Sequence, residues 1–122
     1  MNLTTQRGDF ALAVMEGVAF QIRILLEAME AYGNIERLVL FGGGAKSRLW
    51  CQIIADATGL EIMVPSTAEA AGAGAAMLAA KATGKIIQSL RCMKIYEPVN
   101  KVTYERKYER YRRIETKLWN QR

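Results

Sequence analysis

The stretch that most constrains this 122-residue sequence is residues 37–59, which read RLVLFGGGAKSRLWCQIIADATG. Its apolar run, residues 38–41, predicts a short strand that is buried on both faces, as the strands of parallel sheets are. Three glycines follow, and Ser47 is then placed to cap a helix that Gly59 can end in a left-handed conformation. A strand, a glycine turn and a helix in this order bring bare backbone N–H groups close to a phosphate or a nucleotide.

The glycine turn, residues 42–47, matches neither of two well-known phosphate-binding patterns. A Walker A loop requires glycine directly before the Lys-Ser pair, and Ala45 stands there instead. The dinucleotide-binding fingerprint requires a third glycine at the start of the helix, and none occurs at that place. The pattern alone therefore leaves two interpretations open, a nucleotide-binding turn and a purely structural tight turn.

The composition limits the chemistry and the setting. The length suits one domain, and the absence of histidine excludes a histidine general base, a histidine metal ligand and a Ser-His triad. Cys51 and Cys92 are widely separated, which favours a reducing, cytoplasmic setting over a disulfide framework. We expect no signal peptide, because no basic segment leads into an apolar one with a cleavage site. We expect no membrane contact, because the apolar runs are too short and too interrupted to span a bilayer.

The region before the glycine turn predicts one long helix, which Asp9 caps and which continues to Tyr32. It is apolar over most of its surface, and its charged residues fall on one narrow stripe: Glu16, Arg23, Glu27 and Glu30. A surface helix usually has an apolar stripe on a polar body, so this helix requires partners on more than one side.

After Gly59, residues 61–64 predict a second strand that Pro65 stops. Ser66 and Glu69 then form a capping box for a helix rich in small residues, which runs to about Thr83 and ends at Gly84. Residues 86–93 predict a further short helix, and residues 96–98 a turn or an extended link. A last helix runs from about Lys101 to Trp119. Its stripe of tyrosines, Tyr104, Tyr108 and Tyr111, favours docking against the body of the protein over stacking on bases.

These elements predict an α/β fold in which helices surround a small parallel sheet. Two strands joined through a helix form a right-handed parallel pair. Two parallel strands do not make a stable sheet alone, because parallel sheets are buried on both faces. We therefore expect either that residues 1–122 form a single incomplete domain or that an identical chain supplies the other side.

Several motifs together resemble the FGGY carbohydrate kinases, a family with the actin-like (ribonuclease H-like) ATPase fold. The resemblance begins with Met15-Glu16-Gly17-Val18-Ala19-Phe20 and is strongest over Gly42-Gly43-Gly44-Ala45-Lys46-Ser47. It continues in the same order through nearly the whole chain, at Trp50, Gln52, Ala55-Asp56, Gly59, Val64-Pro65, Glu69-Ala70-Ala71, Gly74-Ala75-Ala76 and Tyr96-Glu97-Pro98. Within the family, the sequence looks most similar to xylulokinase-like sugar kinases.

The resemblance implies the C-terminal portion of an ATP-dependent sugar kinase. Gly43 and Gly44 would then lie against the nucleotide, and Ser47 would contact it or simply cap its helix. Cofactors would be ATP, with Mg²⁺ in the intact enzyme, and the sugar would bind only through an N-terminal domain that has no counterpart here. We assign no catalytic and no metal-binding residue, read Asp56 and Glu69 as structural, and expect the chain alone to phosphorylate no sugar.

Two other functions remain open at this point. One is a non-catalytic, self-associating module, as a homodimer or as a truncated remnant without activity. The other is nucleic-acid binding through residues 91–122, which carry ten basic and four acidic residues. Glu105, Glu109 and Glu115 interrupt the basic surface, so we expect no nucleic-acid partner.

Overall fold

The structure, a computed structural model, describes residues 5–66, 70–86 and 91–120. Its elements are α1 (Arg7–Met29) with a 3₁₀ turn at Glu30–Tyr32, β1 (Arg37–Val39), a 3₁₀ turn at Gly43–Lys46, α2 (Arg48–Thr58), β2 (Glu61–Pro65), α3 (Ala70–Ala82), β3 (Cys92–Tyr96) and α4 (Lys101–Trp119). The predicted α/β class is confirmed. Within these ranges, no helix combines the length and the apolar character that a membrane crossing requires.

The sheet has the strand order β1-β2-β3 and is mixed rather than purely parallel. The parallel pair predicted from sequence is confirmed, with Arg37 opposite Glu61 and Val39 opposite Met63. The prediction that residues 38–41 form a strand buried on both faces is wrong, because β1 ends at Val39 and both Val39 and Phe41 are more than half exposed. β3 lies antiparallel to β2, so the prediction of a helix over residues 86–93 is wrong at every position of that range that the structure describes: residues 86 and 91 are not helical, and a strand begins at Cys92. Residues 87–90 lie outside the described ranges. The second edge of β2 explains the error, because its backbone groups need a partner and a strand satisfies them whatever the local pattern favours.

Local signals at the helix ends are mostly confirmed. Ser47 caps α2, which ends at Gly59 with φ +71°, and Gly84 follows α3 with φ +74°. Asp9 does not cap α1, because the helix begins one turn earlier; its Oδ2 instead accepts a hydrogen bond from the Gln6 N–H at 2.7 Å. Glu69, the predicted end of a capping box, lies outside the described residues.

The core lies where α1, α2 and α4 meet the sheet, around Phe20. The ring of Phe20 is 5.3–6.2 Å, centroid to centroid, from the rings of three tyrosines of α4: Tyr104, Tyr108 and Tyr111. The predicted docking role of the tyrosine stripe is therefore confirmed, and burial of Tyr104 and Tyr108 leaves their faces unavailable to bases.

One side of α1 is exposed to solvent although it is apolar, in line with the prediction that this helix requires partners on more than one side. Five large apolar side chains spaced along that side are between 48% and 69% exposed: Phe10, Val14, Val18, Leu25 and Met29. The opposite side contributes Ala19 and Phe20 to the core. We call this exposed set of five the α1 apolar stripe.

Candidate functional site

The glycine turn stands at the carboxyl end of the parallel pair β1 and β2. The Leu40 N–H donates to the Met63 carbonyl at 2.9 Å and so continues the pairing one residue beyond β1. The chain then reverses at Gly42 and enters the 3₁₀ turn, where the N–H of Ala45 donates to the Gly42 carbonyl at 3.2 Å. Crevices at the carboxyl ends of parallel strands are where open α/β sheets bind ligands.

The three neighbouring glycines of this turn differ in whether their surroundings require glycine. Gly42 has φ +88°, a left-handed conformation that L side chains rarely adopt. A methyl group added to Gly44 would lie 3.0 Å from Cδ1 of Trp50. A methyl group added to Gly43 would meet no heavy atom within 4 Å, and the φ of Gly43 is not positive. Among the described residues, therefore, nothing within the chain requires glycine at position 43.

Ser47 ends the turn and starts α2. Its Oγ accepts a hydrogen bond from the Trp50 N–H at 3.2 Å, and its own N–H donates to the Gly44 carbonyl at 3.1 Å. The capping role is thus present, and the hydroxyl proton of this exposed side chain remains able to donate to a ligand. The three residues predicted to contact a nucleotide, Gly43, Gly44 and Ser47, lie together on one exposed turn.

The turn is fixed from beneath by Ala45 and Cys51, which are both buried. The Cys51 thiol donates to the Ala45 carbonyl at 3.5 Å, and burial raises the pKa of this thiol. Lys46, by contrast, is exposed, and within the described ranges it forms no ion pair. Backbone N–H groups at the start of a 3₁₀ turn have no partner within the turn, so those of Gly43 and Gly44 are left as donors.

Asp56 is the one buried charged residue of the described part of the chain, with 3% of its surface exposed. Its Oδ1 accepts hydrogen bonds from the N–H groups of Val99, at 2.6 Å, and Asn100, at 3.0 Å. Gln52 donates to the same oxygen at 3.2 Å and to the Glu97 carbonyl at 2.8 Å. The carboxylate therefore holds the start of α4, as its predicted structural role requires.

Sequence reasoning assigned no function to Gln52, although its spacing of four residues from Asp56 is a detectable signal for a hydrogen-bonded pair on one helix face.

A second charged cluster joins α1 to α4. The guanidinium of Arg23 donates to both carboxylate oxygens of Glu105, at 2.8 and 2.9 Å, and to Glu27 at 3.1 Å. Burial lowers the pKa of Arg23, the hydrogen bonds to Glu105 and Glu27 raise it, and the net change is upward. The hydrogen bond from Arg23 holds the pKa of Glu105 below its ordinary value. This cluster lies on α1 and α4, apart from the glycine turn, and its role is structural.

The described residues include no group of three or more Cys, Asp or Glu side chains that is placed to hold a metal ion. Mg²⁺ commonly binds through one or two carboxylates together with substrate phosphates, rather than in a cage built by the protein alone.

Known proteins that resemble this chain are sugar kinases. The profile of the C-terminal domain of the FGGY family of carbohydrate kinases matches residues 1–83. The chain is 35% identical over 110 residues to an FGGY carbohydrate kinase domain-containing protein of Homo sapiens, which covers 87% of this chain and 20% of that protein. It is 34% identical over 118 residues to a xylulose kinase of Staphylococcus epidermidis, which covers 88% of this chain and 24% of that protein. The chain thus spans about a quarter or less of these relatives.

Solved structures superimpose on nearly the whole chain. A xylulose kinase from Rhodospirillum rubrum matches with TM-score 0.85 and 23% identity, over 98% of this chain and 26% of that one. A xyloylose kinase from Brucella ovis matches with TM-score 0.84 and 30% identity, over 100% and 27%. A glycerol kinase from Plasmodium falciparum, solved with ADP, matches with TM-score 0.78 and 23% identity, over 95% and 25%. These neighbours share the actin-like ATPase fold, which confirms the predicted fold class.

Proposed function

The chain belongs to the FGGY family of carbohydrate kinases, and from this membership we propose that it forms part of the nucleotide-binding wall of an ATP-dependent sugar kinase. The observation that carries the proposal is the exposed turn Gly43–Lys46, followed by the Ser47 cap of α2. A glycine-rich turn that opens a helix presents N–H donors to an anion without side chains in the way. The ADP in the related glycerol kinase supports a nucleotide as the ligand.

In this proposal, the backbone of Gly43 and Gly44 lies against the nucleotide, and the Ser47 hydroxyl adds a polar contact. ATP supplies the phosphoryl group when bound, and Mg²⁺ would arrive on its phosphates. The acceptor is a sugar or polyol, because the named relatives include xylulose, fuculose and glycerol kinases. A pentulose is our specific choice, and the cytoplasm is the compartment we propose.

We further propose that the chain by itself transfers no phosphoryl group. Transfer requires a base or an orienting group for the acceptor hydroxyl. The buried carboxylate nearest to the turn in sequence, Asp56, is occupied by the backbone of Val99 and Asn100. The chain also spans about a quarter of its relatives, and the remaining three quarters would carry the sugar site.

An amide NMR titration of the ¹⁵N-labelled chain with ADP and Mg²⁺ tests the nucleotide site. We expect shifts confined to residues 42–50. The Gly43→Ala variant should lose these shifts, since its methyl group occupies the space left for the ligand. Gly33→Ala is the matched control, because Gly33 also has nothing within 4 Å and its φ of 165° suits any residue. A dispersed spectrum that ignores ADP would refute the site in this chain and favour a remnant without nucleotide binding.

Self-association is a second candidate function, and the α1 apolar stripe favours it. A two-fold related copy in antiparallel orientation would place Val18 against Leu25 of the partner subunit, and Val14 against Met29 of the partner subunit. Such an isologous contact pairs apolar with apolar side chains at these four positions. Exposed apolar surfaces of this extent commonly mark interaction sites.

Sedimentation velocity at several concentrations tests the dimer. We expect a concentration-dependent dimer for the natural chain and a monomer for Val18→Glu, because the charge would be buried in the interface. Val102→Glu is the control, since Val102 is 77% exposed on α4 and lies outside the α1 apolar stripe. A monomer at all concentrations for the natural chain would contradict the proposal.

A further inference from the structure

The indole of Trp50 lies directly against the backbone of the glycine turn. A methyl group at Gly44 would lie 3.0 Å from Cδ1 and 3.1 Å from Nε1 of this ring. Both distances are shorter than the usual separation between heavy atoms of unbonded groups, which is about 3.5–4.0 Å for two carbon atoms. Either the ring or the turn would have to shift to admit a side chain at Gly44.

The side chain of Trp50 also contacts the core. Trp50 is half-buried and packs against the core that includes Ile53 and Ile54. The backbone N–H of Trp50 donates to the Oγ of Ser47, and the Ser47 N–H donates to the Gly44 carbonyl. Gly44, Ser47 and Trp50 therefore form a closed unit, in which each residue limits the position of the next.

We propose that Trp50 is a positioning residue for the nucleotide site, and this inference rests on the proposed function. Its indole supports Gly44 and so sets where the N–H groups of the turn point. Position 44 is glycine to admit the indole of Trp50, whereas position 43 is glycine to admit the ligand, a nucleoside di- or triphosphate. The two neighbouring glycines thus serve different partners, one inside the chain and one outside it.

A double-mutant cycle on folding tests the internal partner. We expect Gly44→Ala to lower Tm by about 4 °C, because the ring resists displacement. Trp50→Leu replaces the flat ring with methyl groups that can rotate away, so in that background Gly44→Ala should lower Tm by less than about 1 °C. Gly43→Ala, one residue away, is the matched control and should leave Tm unchanged. Equal losses for Gly44→Ala in both backgrounds would overturn the pairing.

ADP affinity tests the positioning role, through a measurement that a merely structural tryptophan would not change. Trp119→Phe makes Trp50 the single tryptophan, and its emission, excited selectively at the red edge of the absorption, should respond to ADP. Measured by the amide NMR titration, which needs no tryptophan, Trp50→Leu should weaken ADP binding about tenfold in a chain that stays folded by circular dichroism. Trp50→Phe should restore affinity, since its aromatic ring keeps an atom at the Cδ1 position. Unchanged affinity in Trp50→Leu would overturn the positioning role.

The two tests separate this inference from the proposed function. If the natural chain binds no ADP, the nucleotide site and the positioning role both fail, while the cycle still decides whether position 44 is glycine because of the ring. If ADP binds and the cycle shows no coupling, the proposed function stands and the Trp50 inference fails.

Discussion

Replacement of Asp56 by alanine should destabilise the fold strongly while leaving the glycine turn intact. The carboxylate is 3% exposed and accepts hydrogen bonds from two backbone N–H groups, those of Val99 and Asn100. Alanine would leave both donors without their acceptor at the start of α4. Helix α4 carries Tyr104 and Tyr108 into the core, so loosening its start reaches the centre of the protein.

The magnitude follows from the hydrogen bonds that are lost. Each hydrogen bond to a charged group contributes about 1.5–3 kcal/mol, so the two backbone bonds together set an upper range of about 3–6 kcal/mol. Removal of a buried charge returns part of the desolvation cost, which leaves an expected loss of about 3 kcal/mol for Asp56→Ala. Asp56→Asn keeps one acceptor oxygen without charge, and since neutral hydrogen bonds are roughly half as strong, it should cost about 1.5 kcal/mol.

Urea unfolding followed by circular dichroism measures this loss. With an m-value of about 2 kcal/mol per molar, Asp56→Ala should lower the midpoint by about 1.5 M. Glu109→Ala is the control, because Glu109 is exposed on α4 and has no hydrogen bond among the described contacts; its effect should stay within about 0.5 kcal/mol. A loss below about 1 kcal/mol for Asp56→Ala would refute the view that this carboxylate holds α4 in place.

Three further predictions concern the junction of α1 and α4. Phe20→Ala should cost about 3–5 kcal/mol in urea unfolding, since Phe20 fills the space among three tyrosine rings; a cost below about 1 kcal/mol would contradict that packing. Burial, and then the hydrogen bond to Glu27, raises the pKa of Tyr108 to about 12. A pKa that is raised in the folded state gives stability that is complete below about pH 10 and is lost as the pH rises towards 12. The Tm of Tyr108→Phe should therefore fall less steeply at alkaline pH than the Tm of the natural chain. The pKa of Glu105 is lowered by its hydrogen bond from Arg23, so the contribution of Glu105 to stability is complete above about pH 4.3 and disappears at lower pH. The gap in Tm between the natural chain and Glu105→Gln should therefore close in acid, and a gap independent of pH would contradict the assignment.

The candidate turn was largely predictable from sequence, because its signals are local. The cap at Ser47 and the left-handed Gly59 depend on dihedral angles and on hydrogen bonds within a few residues. The parallel pairing of β1 with β2 follows from two apolar runs joined by a helix. The family resemblance rests on the same short motifs, which is why the fold class was predicted correctly.

The reasons for particular residues in the site were not predictable from sequence. Three glycines in a row look equivalent in the sequence. In the structure, Gly42 has a positive φ, Gly44 lies against the ring of Trp50, and Gly43 has open space where a side chain would be. Only the tertiary structure distinguishes Gly43 from Gly44, since the position of the Trp50 ring depends on how α2 packs against the turn.

The sequence by itself determined the strand, turn and helix around Ser47, because caps, glycine dihedrals and apolar periodicity act over a few residues. Only the tertiary structure decided that Cys92–Tyr96 is a strand, that Asp56 holds Asn100 and that Arg23 pairs with Glu105. The two side-chain pairs are 44 and 82 residues apart, β3 pairs with the free edge of β2, and no local spacing specifies these partners. Such contacts form because buried charges and free strand edges need partners, and the fold determines which partner is within reach.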